Sequence, residues 1–192
     1  MFSVQTSGIN EKVKFNAVLD CSLDDTGITE PVTKDEVKAW CKINTGTAED
    51  DLLDALITTA RQQCEDFTGV SFVSRETTCV INNSCGGIYL PYGPVTLPVT
   101  SIKDMDDEDI TNAVFSGTVF PQLITPAWDR ITLVYDSGYE TLPEKLKIAV
   151  LQQIFYLYNN RGEEATANRS GMIVELTLSP QARATLQRIK RR

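Results

Sequence analysis

The feature that most constrains the fold is a long amphipathic helix predicted over residues 50–68. Its apolar residues recur at helical spacing and fall on one face. They are Leu52, Leu53, Leu56, Ile57, Ala60, Cys64 and Phe67. Burying this stripe stabilises the helix by about 10–20 kcal/mol, at roughly 1.5–3 kcal/mol per large side chain. Ordering the backbone of about twenty residues costs on the order of 20–40 kcal/mol. The helix must therefore dock on a larger core.

Capping residues mark the ends of this helix and of a shorter one before it. Thr33 and Glu36 form a capping box, which predicts a first helix through about Lys42. The residues expected to face inward are Val37, Trp40 and Cys41. Thr47 opens the second helix three residues before Asp50, and a left-handed Gly69 ends it.

A third helix is predicted after Pro143, with Thr141 and Glu144 as a second capping box. Its apolar residues point almost all round the axis, which indicates burial on every side. In a chain of this size we expect a second copy of the chain to cover one of those sides. The residues predicted to form this subunit interface are Leu146, Val150, Ile154, Phe155 and Tyr158.

A β-rich region lies between the second and third helices. "RETTCVI" and "RITLVYD" are rich in β-branched and aromatic residues, and Ile131, Leu133 and Tyr135 alternate as in a half-buried strand. "AVFSGTVF" is expected to form a short hairpin arm. The predicted fold class is α+β and mainly α, with a helical core of three to four helices and a small inserted antiparallel β region.

The two ends of the chain differ in composition from the middle. Residues 1–30 lack a sustained period and are interpreted as an N-terminal extension, in which "KVKFNAVLD" could form an irregular strand. Residues 31–163 form the predicted core domain. Residues 164–192 are predicted to form a C-terminal arm, with a possible strand "MIVELTL" and a short basic helix opened by Ser179 and Pro180.

The charge is distributed unevenly. The net charge is −8, yet residues 179–192 carry five basic residues and no acid, which leaves 13 basic against 26 acidic residues elsewhere. Such an acidic body argues against a general nucleic-acid binder. The basic tail indicates either a partner of its own or a cationic helix end that offsets its macrodipole. Its charged residues are Arg183, Arg188, Lys190, Arg191 and Arg192.

Motifs for catalysis are missing from the sequence. There is no histidine, which removes the usual general base and imidazole metal ligands. The chain has no phosphate-binding glycine loop, and "DMDDED" (104–109) fails the EF-hand pattern. A helix-turn-helix over residues 34–68 is rejected because its second helix begins with acids. We therefore predict no catalytic residue, no cofactor and no metal.

Five cysteines without a C-x-x-C pair, and no signal peptide, favour reduced thiols in a cytoplasm. Cys41 and Cys64 are interpreted as packing residues. No apolar run reaches the length of a membrane span, so no membrane partner is expected.

Four short motifs, in order, resemble the head–tail connector (head-completion adaptor) family of tailed bacteriophages. They are Pro31-Val32-Thr33, the Glu65–Gly69 end of the second helix, Gly138-Tyr139, and the helix from Pro143 to Arg161. The resemblance covers residues 31 to about 163.

This resemblance implies a structural virion protein of the phage neck that is not an enzyme. Such adaptors form a homo-oligomeric ring, expected to be dodecameric, which joins the portal protein to stopper or tail-completion proteins and extends the channel through which double-stranded DNA passes. The location implied is the virion neck between capsid and tail, with assembly in the bacterial host cytoplasm. The alternative is another neck component, such as a stopper or tail-terminator protein.

The resemblance to the connector family also suggests roles for two further sets of residues. Asp104, Asp106 and Asp107 are predicted to face the channel, where like charge keeps DNA from adhering to the wall. The arm from Met172 to Arg192, with its basic residues, is predicted to reach out and dock on the portal. Truncation after Gly171 is accordingly expected to spare the core fold.

Overall fold

The computed structural model describes residues 17–44, 46–82, 86–125, 130–160 and 178–190. Four helices and seven strands lie within these ranges. The helices are α1 (Lys34–Cys41), α2 (Asp50–Thr68), α3 (Glu144–Asn159) and α4 (Pro180–Leu186). The strands are β1 (Ala17–Leu23), β2 (Arg75–Asn82), β3 (Gly86–Tyr89), β4 (Ser101–Lys103), β5 (Val114–Ser116), β6 (Gln122–Thr125) and β7 (Ile131–Ser137).

The strands form two antiparallel sheets. One sheet has four strands in the order β1-β2-β7-β4, and the other has three in the order β3-β6-β5. Six of the seven strands lie between α2 and α3, as predicted, and the α+β fold class is confirmed. The predicted hairpin arm "AVFSGTVF" contains only the first strand, β5, because the strand with which β5 pairs, β6, comes after residue 120.

Each of the two layers has its own hydrophobic core. The helical core joins the inner faces of α1, α2, α3 and α4 to Val70 and Phe72. The sheet core is centred on β2 and β7, where the alternating residues Ile131, Leu133 and Tyr135 are fully buried as predicted. Two chain segments, residues 69–74 and 138–143, join the helical layer to the sheet layer.

Local sequence accounts for most of the helix ends. The Thr33 side chain accepts from the Glu36 amide and the Glu36 carboxylate accepts from the Thr33 amide, so this capping box is confirmed. Gly69 ends α2 in the left-handed conformation, as expected. The other two predicted side-chain caps are wrong: α2 begins at Asp50 and α3 begins after Pro143, as expected for α3, but neither Glu49 nor Pro143 makes a side-chain hydrogen bond at the N-cap position.

Helix α3 is largely enclosed within a single chain. Leu146, Val150 and Ile154 lie in the helical core, because α1, α2 and α4 all pack against this helix. Their apolar area is already used inside one chain and is not available for a subunit interface. The expected subunit contact is thereby restricted to the outward side of α3.

Residues 17–30 are integrated with the core rather than forming a separate extension. Strand β1 pairs with β2 along most of its length, with an irregularity between Val18 and Asp20. Cys21 and Cys79 are direct cross-strand partners, 4.2 Å apart between their Cα atoms, and they form a disulfide. This corrects the expectation that all thiols are reduced.

The C-terminal helix is likewise part of the core. Ala182 and Leu186 of α4 are fully buried, and Ser179 caps the helix by accepting from the Ala182 amide, as predicted. The buried Gln153 amide of α3 accepts from the Ser179 amide at 2.7 Å and donates to Gln63 of α2 at 2.6 Å. The described part of the predicted arm therefore does not reach out, and truncation after Gly171 would open the core. The candidate strand "MIVELTL" lies outside the described residues except for Leu178.

Replacing Leu186 with alanine tests this packing. The side chain is fully buried in the helical core, so we expect L186A to lower the free energy of unfolding by about 2–5 kcal/mol. The matched control is L19A, the same chemical change at an exposed position, which should alter it by no more than about 0.5 kcal/mol. Urea unfolding followed by circular dichroism measures both. Equal, small effects would show that α4 does not complete the core.

Candidate functional site

The most unusual polar feature of the described chain is a buried carboxylate held by two buried arginines. Glu65, near the end of α2, accepts from Arg61 Nη1 at 2.9 Å and from Arg75 Nη2 at 2.7 Å through its Oε2 atom. Its Oε1 atom accepts from the Phe72 amide at 2.7 Å. Arg61 is in α2 and Arg75 begins β2, so one carboxylate joins the helix, the connecting loop and the sheet.

Two acids from the segment after β1 complete this ion network. Glu30 Oε2 accepts from Arg61 Nε at 2.9 Å. Asp25 accepts from both arginines, one through each carboxylate oxygen. The network of Asp25, Glu30, Arg61, Glu65 and Arg75 therefore fixes residues 24–30 against the junction of the two layers.

Opposing influences set the pKa values in this network. Burial raises the pKa of Glu65 above its ordinary range, although the charges of Arg75 and Arg61 and the Phe72 amide act in the opposite direction. Burial also acts to raise the pKa of Asp25, but the hydrogen bonds and charges of the two arginines outweigh it and lower that pKa. Asp25 therefore adds stability above its ordinary pKa, and this contribution is lost as the pH falls through the lowered value.

Every residue of the Glu65–Gly69 motif except Asp66 has a structural role. The Thr68 hydroxyl donates to the Cys64 carbonyl at 2.8 Å, and the left-handed Gly69 donates its amide to the Glu65 carbonyl. The Phe67 ring lies beneath the Lys190 ammonium, 4.6 Å from the ring centroid. The motif thus joins the sheet on one side and the basic C-terminal segment on the other.

Gly138 of the Gly138-Tyr139 motif begins the second segment that joins the two layers, residues 138–143. Its φ is +100°, and an added Cβ would lie 1.9 Å from the Val73 carbonyl oxygen. A side chain at this position would displace the 69–74 connection, which carries the amide that Glu65 binds. The backbone requires glycine here.

An apolar groove lies on the outer side of the helical layer. Trp40 of α1 and Phe155 of α3 are 43% and 46% exposed, which corrects the expectation that Trp40 faces inward. The groove between them has a volume of about 560 Å³. Its other lining residues are Cys41, Lys42, Gln152, Tyr156, Asn159, Asn160 and Gln181. We call it the Trp40–Phe155 groove.

A second exposed apolar surface lies on the β5–β6 hairpin. Val114 and Ile124 are cross-strand partners, so their side chains lie on the same face. They are 58% and 41% exposed, and Val119 in the connecting turn is 50% exposed. The opposite face carries Leu123, which is fully buried in the sheet core. We call these three exposed residues the hairpin surface.

The predicted subunit-interface residues are thus divided by the structure. Leu146, Val150 and Ile154 are internal, whereas Phe155 lines the groove. Tyr158 packs against the helical core, and its hydroxyl donates to Glu49 Oε2 at 2.7 Å.

The predicted portal-docking residues are only partly described. Arg183, Arg188 and Lys190 are exposed; Arg183 and Lys190 both lie over the Phe67 ring, the former at 5.8 Å. Arg191 and Arg192 lie outside the described residues. Arg183 and Lys190 lie at the end of the helical layer at which α4 meets α2, because Phe67 is the penultimate residue of α2.

The predicted channel-facing residues form an exposed turn after β4. Asp104 Oδ1 accepts from the amides of Asp106 and Glu108, at 2.9 and 3.0 Å. Asp107 is in the left-handed conformation and pairs with Lys103 at 3.2 Å. Asp104 thus shapes the turn, while the Asp106 side chain projects into solvent.

Neither a metal site nor a membrane-spanning helix is present in the described ranges. The side chains there bring together no group of three or more histidine, cysteine or acidic residues that could hold an ion. The described helices are all too short or too polar to cross a bilayer.

Burial raises the pKa of the Cys64 thiol to about 12, which leaves it un-ionised and unreactive at neutral pH.

Solved structures with this fold include chains of gene transfer agent (GTA) particles. A chain in the structure "Neck of empty GTA particle computed with C6 symmetry" has a TM-score of 0.69 and 18% identity, over 90% of this chain and 95% of that one. A chain in "Virion of native gene transfer agent (GTA) particle" has a TM-score of 0.62 and 18% identity, over 91% and 94%. A third, from "Neck of native GTA particle computed with C12 symmetry", has a TM-score of 0.53 and 20% identity, over 85% and 94%.

The fold is therefore shared with chains found in particle necks. The family model described as "Phage gp6-like head-tail connector protein" matches residues 33–190, and the chain belongs to this family. The match extends through α4, beyond the residue 163 at which the motif resemblance ended. The sequence has no significant match among curated proteins.

Sequence reasoning identified the Glu65–Gly69 motif but not the ion network. Glu65 and Arg61 are spaced i, i+4 on the predicted helix, a signal that could have paired them. Arg75, Glu30 and Asp25 reach them only through tertiary structure. The sequence also did not predict which face of the β5–β6 hairpin is exposed, since either face of a short hairpin could be buried.

Replacing Glu65 with glutamine tests the network. We expect E65Q to lower the free energy of unfolding by about 3–5 kcal/mol, because it leaves Arg61 and Arg75 without their buried counter-charge. The matched control is D66N, the same change at the exposed neighbouring residue, which should alter stability by no more than about 0.5 kcal/mol. Denaturant unfolding at neutral pH measures the difference. A loss under about 1 kcal/mol for E65Q would contradict the role assigned to Glu65.

Proposed function

We propose that this protein is a ring-forming adaptor of a phage-type neck, which joins the portal vertex to the stopper or tail-completion proteins and extends the DNA channel. The observation that carries the proposal is the family match over residues 33–190. The role is structural, with no reaction catalysed. Its location would be the neck of the particle, with assembly in the host cytoplasm.

The fold supports this role because it supplies a rigid body with exposed apolar surfaces in both layers. A ring needs a heterologous interface, in which two different surfaces of each subunit meet. The Trp40–Phe155 groove and the hairpin surface share no residue and lie on different elements. The structural neighbours come from necks computed with C6 and C12 symmetry, which favours a ring of twelve copies here.

The charge distribution favours passage of DNA without adhesion. The acidic body repels phosphates, and exposed acids on a channel wall keep a moving duplex from binding. The exposed turn at Asp104, Asp106 and Asp107 is proposed to face that channel. A stopper or tail-terminator role remains the second candidate for a neck protein, but the connector family match favours the adaptor.

The basic end of the helical layer is proposed to face the portal. Arg183 lies on α4, which packs into the core, and Arg188 and Lys190 follow this helix, so docking would use a preformed surface rather than a free arm.

Mixing the purified chain with its portal tests the adaptor role. We expect electron microscopy to show the chain stacked on the portal as a coaxial ring. The triple variant R183Q/R188Q/K190Q should weaken this binding and lower the free energy of unfolding by no more than about 1–2 kcal/mol, since the three side chains are exposed and two of them lose a contact with Phe67. The control is K34Q, a basic residue on α1. A ring bound elsewhere in the neck would identify a stopper or terminator, and absence of any portal complex would contradict the proposal.

Charge changes in the exposed turn test the channel position. We expect D106K/D107K to slow DNA ejection, because lysines attract phosphates that the native acids repel. The control D106N/D107N keeps the size of the side chains and removes their charge, and asparagine tolerates the left-handed conformation of residue 107. Asp104 is left unchanged because it shapes the turn. Wild-type ejection by the lysine variant, measured by dye release from particles, would place this turn away from the channel wall.

A further inference from the structure

The disulfide between Cys21 and Cys79 joins the edge strand of the larger sheet to its neighbour. Strand β1 is the first strand in the order β1-β2-β7-β4, so its backbone hydrogen bonds within the sheet all go to β2. A strand held on one side opens at a lower free energy than a central strand of the core. In the described part of the chain, the disulfide is the covalent contact that opposes this opening.

The non-covalent contacts of β1 are distributed unequally along the strand. Asp25, which follows its end, accepts from two buried arginines and holds that end against the junction of the two layers. At the other end the pairing register shifts after Val18, and Val18 and Leu19 are 43% and 51% exposed. Cys21 lies between the two regions. The disulfide therefore holds residues 17–20, the half of the strand that other contacts hold least.

The two cysteines of the pair differ in their access to solvent. Cys79 is fully buried in the sheet core, whereas Cys21 is partly exposed on the edge strand. A small thiolate from solution therefore reaches the pair from the Cys21 side, where attack on Cys21 Sγ releases Cys79 as the leaving group. Disulfides with an exposed side are reduced more readily than enclosed ones, so this pair is suited to reversible chemistry.

The buried thiol that reduction releases has a hydrogen-bond acceptor already in place. Tyr135 Oη lies 3.3 Å from Cys79 Sγ and donates its own proton to the Pro91 carbonyl at 2.9 Å. Its oxygen is thus available to accept from a Cys79 S–H group. Because a buried donor without an acceptor is costly, this contact makes the reduced state compatible with the same core packing.

We infer that Cys21 and Cys79 form a reversible redox site that controls how firmly residues 17–20 are held against β2. As two thiols they let this half of β1 open from the sheet, and as a disulfide they hold it closed. A reducing cytoplasm and an oxidising exterior impose the two states. In this chain the change follows release of the particle from the host, a timing that rests on the proposed neck function. The redox site itself does not depend on that function.

The oxidant is a small-molecule disulfide such as glutathione disulfide. The Cys21 thiolate attacks one sulfur of this molecule and releases one small thiolate, which leaves a mixed disulfide on Cys21. Cys79 then loses its proton and attacks Cys21 Sγ, which releases the second small thiolate. One S–S bond is broken and one is formed. The protein loses two electrons and two protons, and the small disulfide gains both.

Thiol trapping tests whether the pair changes state between the two environments. The full chain is expressed in the bacterial cytoplasm, the cells are quenched in acid, and the precipitated protein is dissolved in urea with N-ethylmaleimide. A second sample is purified and treated with glutathione disulfide before the same quench. Peptide mass spectrometry should find Cys21 and Cys79 both modified in the first sample and neither modified in the second. A disulfide already formed in the cytoplasm, or two thiols that persist after treatment, would overturn the inference.

Hydrogen exchange followed by mass spectrometry tests whether the redox site controls β1. We expect the peptide covering residues 17–23 to exchange at least about tenfold faster after reduction with dithiothreitol, while β7 peptides keep their rates. The variant C21S forms no disulfide and should exchange rapidly with or without dithiothreitol. The matched control C41S, at a partly exposed cysteine outside the pair, should respond like the wild type. Equal exchange of the wild type in both states would show that the disulfide does not hold the strand.

Replacing Tyr135 with phenylalanine tests the acceptor. Cys79 has a proton to donate only as a thiol, so Y135F removes this hydrogen bond from the reduced state alone. We expect the equilibrium with glutathione to shift about threefold toward the disulfide. The matched control Y139F, at a partly buried tyrosine of the helical core, should leave the equilibrium unchanged. No shift, or a shift toward the thiols, would contradict the role assigned to Tyr135.

The redox site and the neck function fail separately. A pair that changes state as expected, in a chain that binds no portal, would contradict the neck function and support the redox site. Coaxial rings on the portal, formed by a chain whose pair does not change state, would do the reverse.

Discussion

The Glu65 carboxylate is the interaction on which the arrangement of the two layers depends. It accepts from one arginine within its own helix, from a second at the start of the sheet, and from the amide of the loop between them. A buried ion pair of this kind contributes little net stability compared with apolar packing, but removing one member is costly. We therefore assign it the role of specifying one orientation of α2 relative to β2.

The short motifs that resemble the connector family converge on this junction. Glu30, just before Pro31, binds Arg61; Val32 packs in the helical core, and Thr33 caps α1. The Glu65–Gly69 motif supplies the central carboxylate, and Gly138 allows the second junction to pass against Val73. Three of the four motifs thus lie at or beside this joint although they are far apart in sequence, which gives a physical reason for their residue types.

The periodic features of the sequence predicted the fold well. The stripe on α2, the alternation on β7 and the box at Thr33 each express a local rule, and the structure confirms them. What the sequence did not predict depends on contacts between distant residues. Apolar residues all round α3 indicated burial, but the pattern could not distinguish α4 of the same chain from a second subunit. The same limit applies to Cys21 and Cys79, whose pairing depends on the register of two strands, and to the exposed face of the hairpin.

The proposed function requires that the Glu65 junction hold the helical and sheet layers rigidly together. A subunit of the proposed ring must hold its two layers in a fixed relation for its contacts with neighbouring copies to close. The groove lies on the helical layer and the hairpin on the sheet layer, so the Glu65 junction sets the angle between them.

The amide of Phe72 reports most directly on whether this junction is a rigid joint. It donates to Glu65 in the loop between the two layers, a position where amides commonly exchange by local opening. Site-resolved hydrogen exchange should give this amide an opening free energy equal to that of the central β7 amides, because the network opens only when the whole domain unfolds. Exchange at a far lower free energy, with β7 still protected, would show that the layers hinge freely and that Glu65 does not fix them.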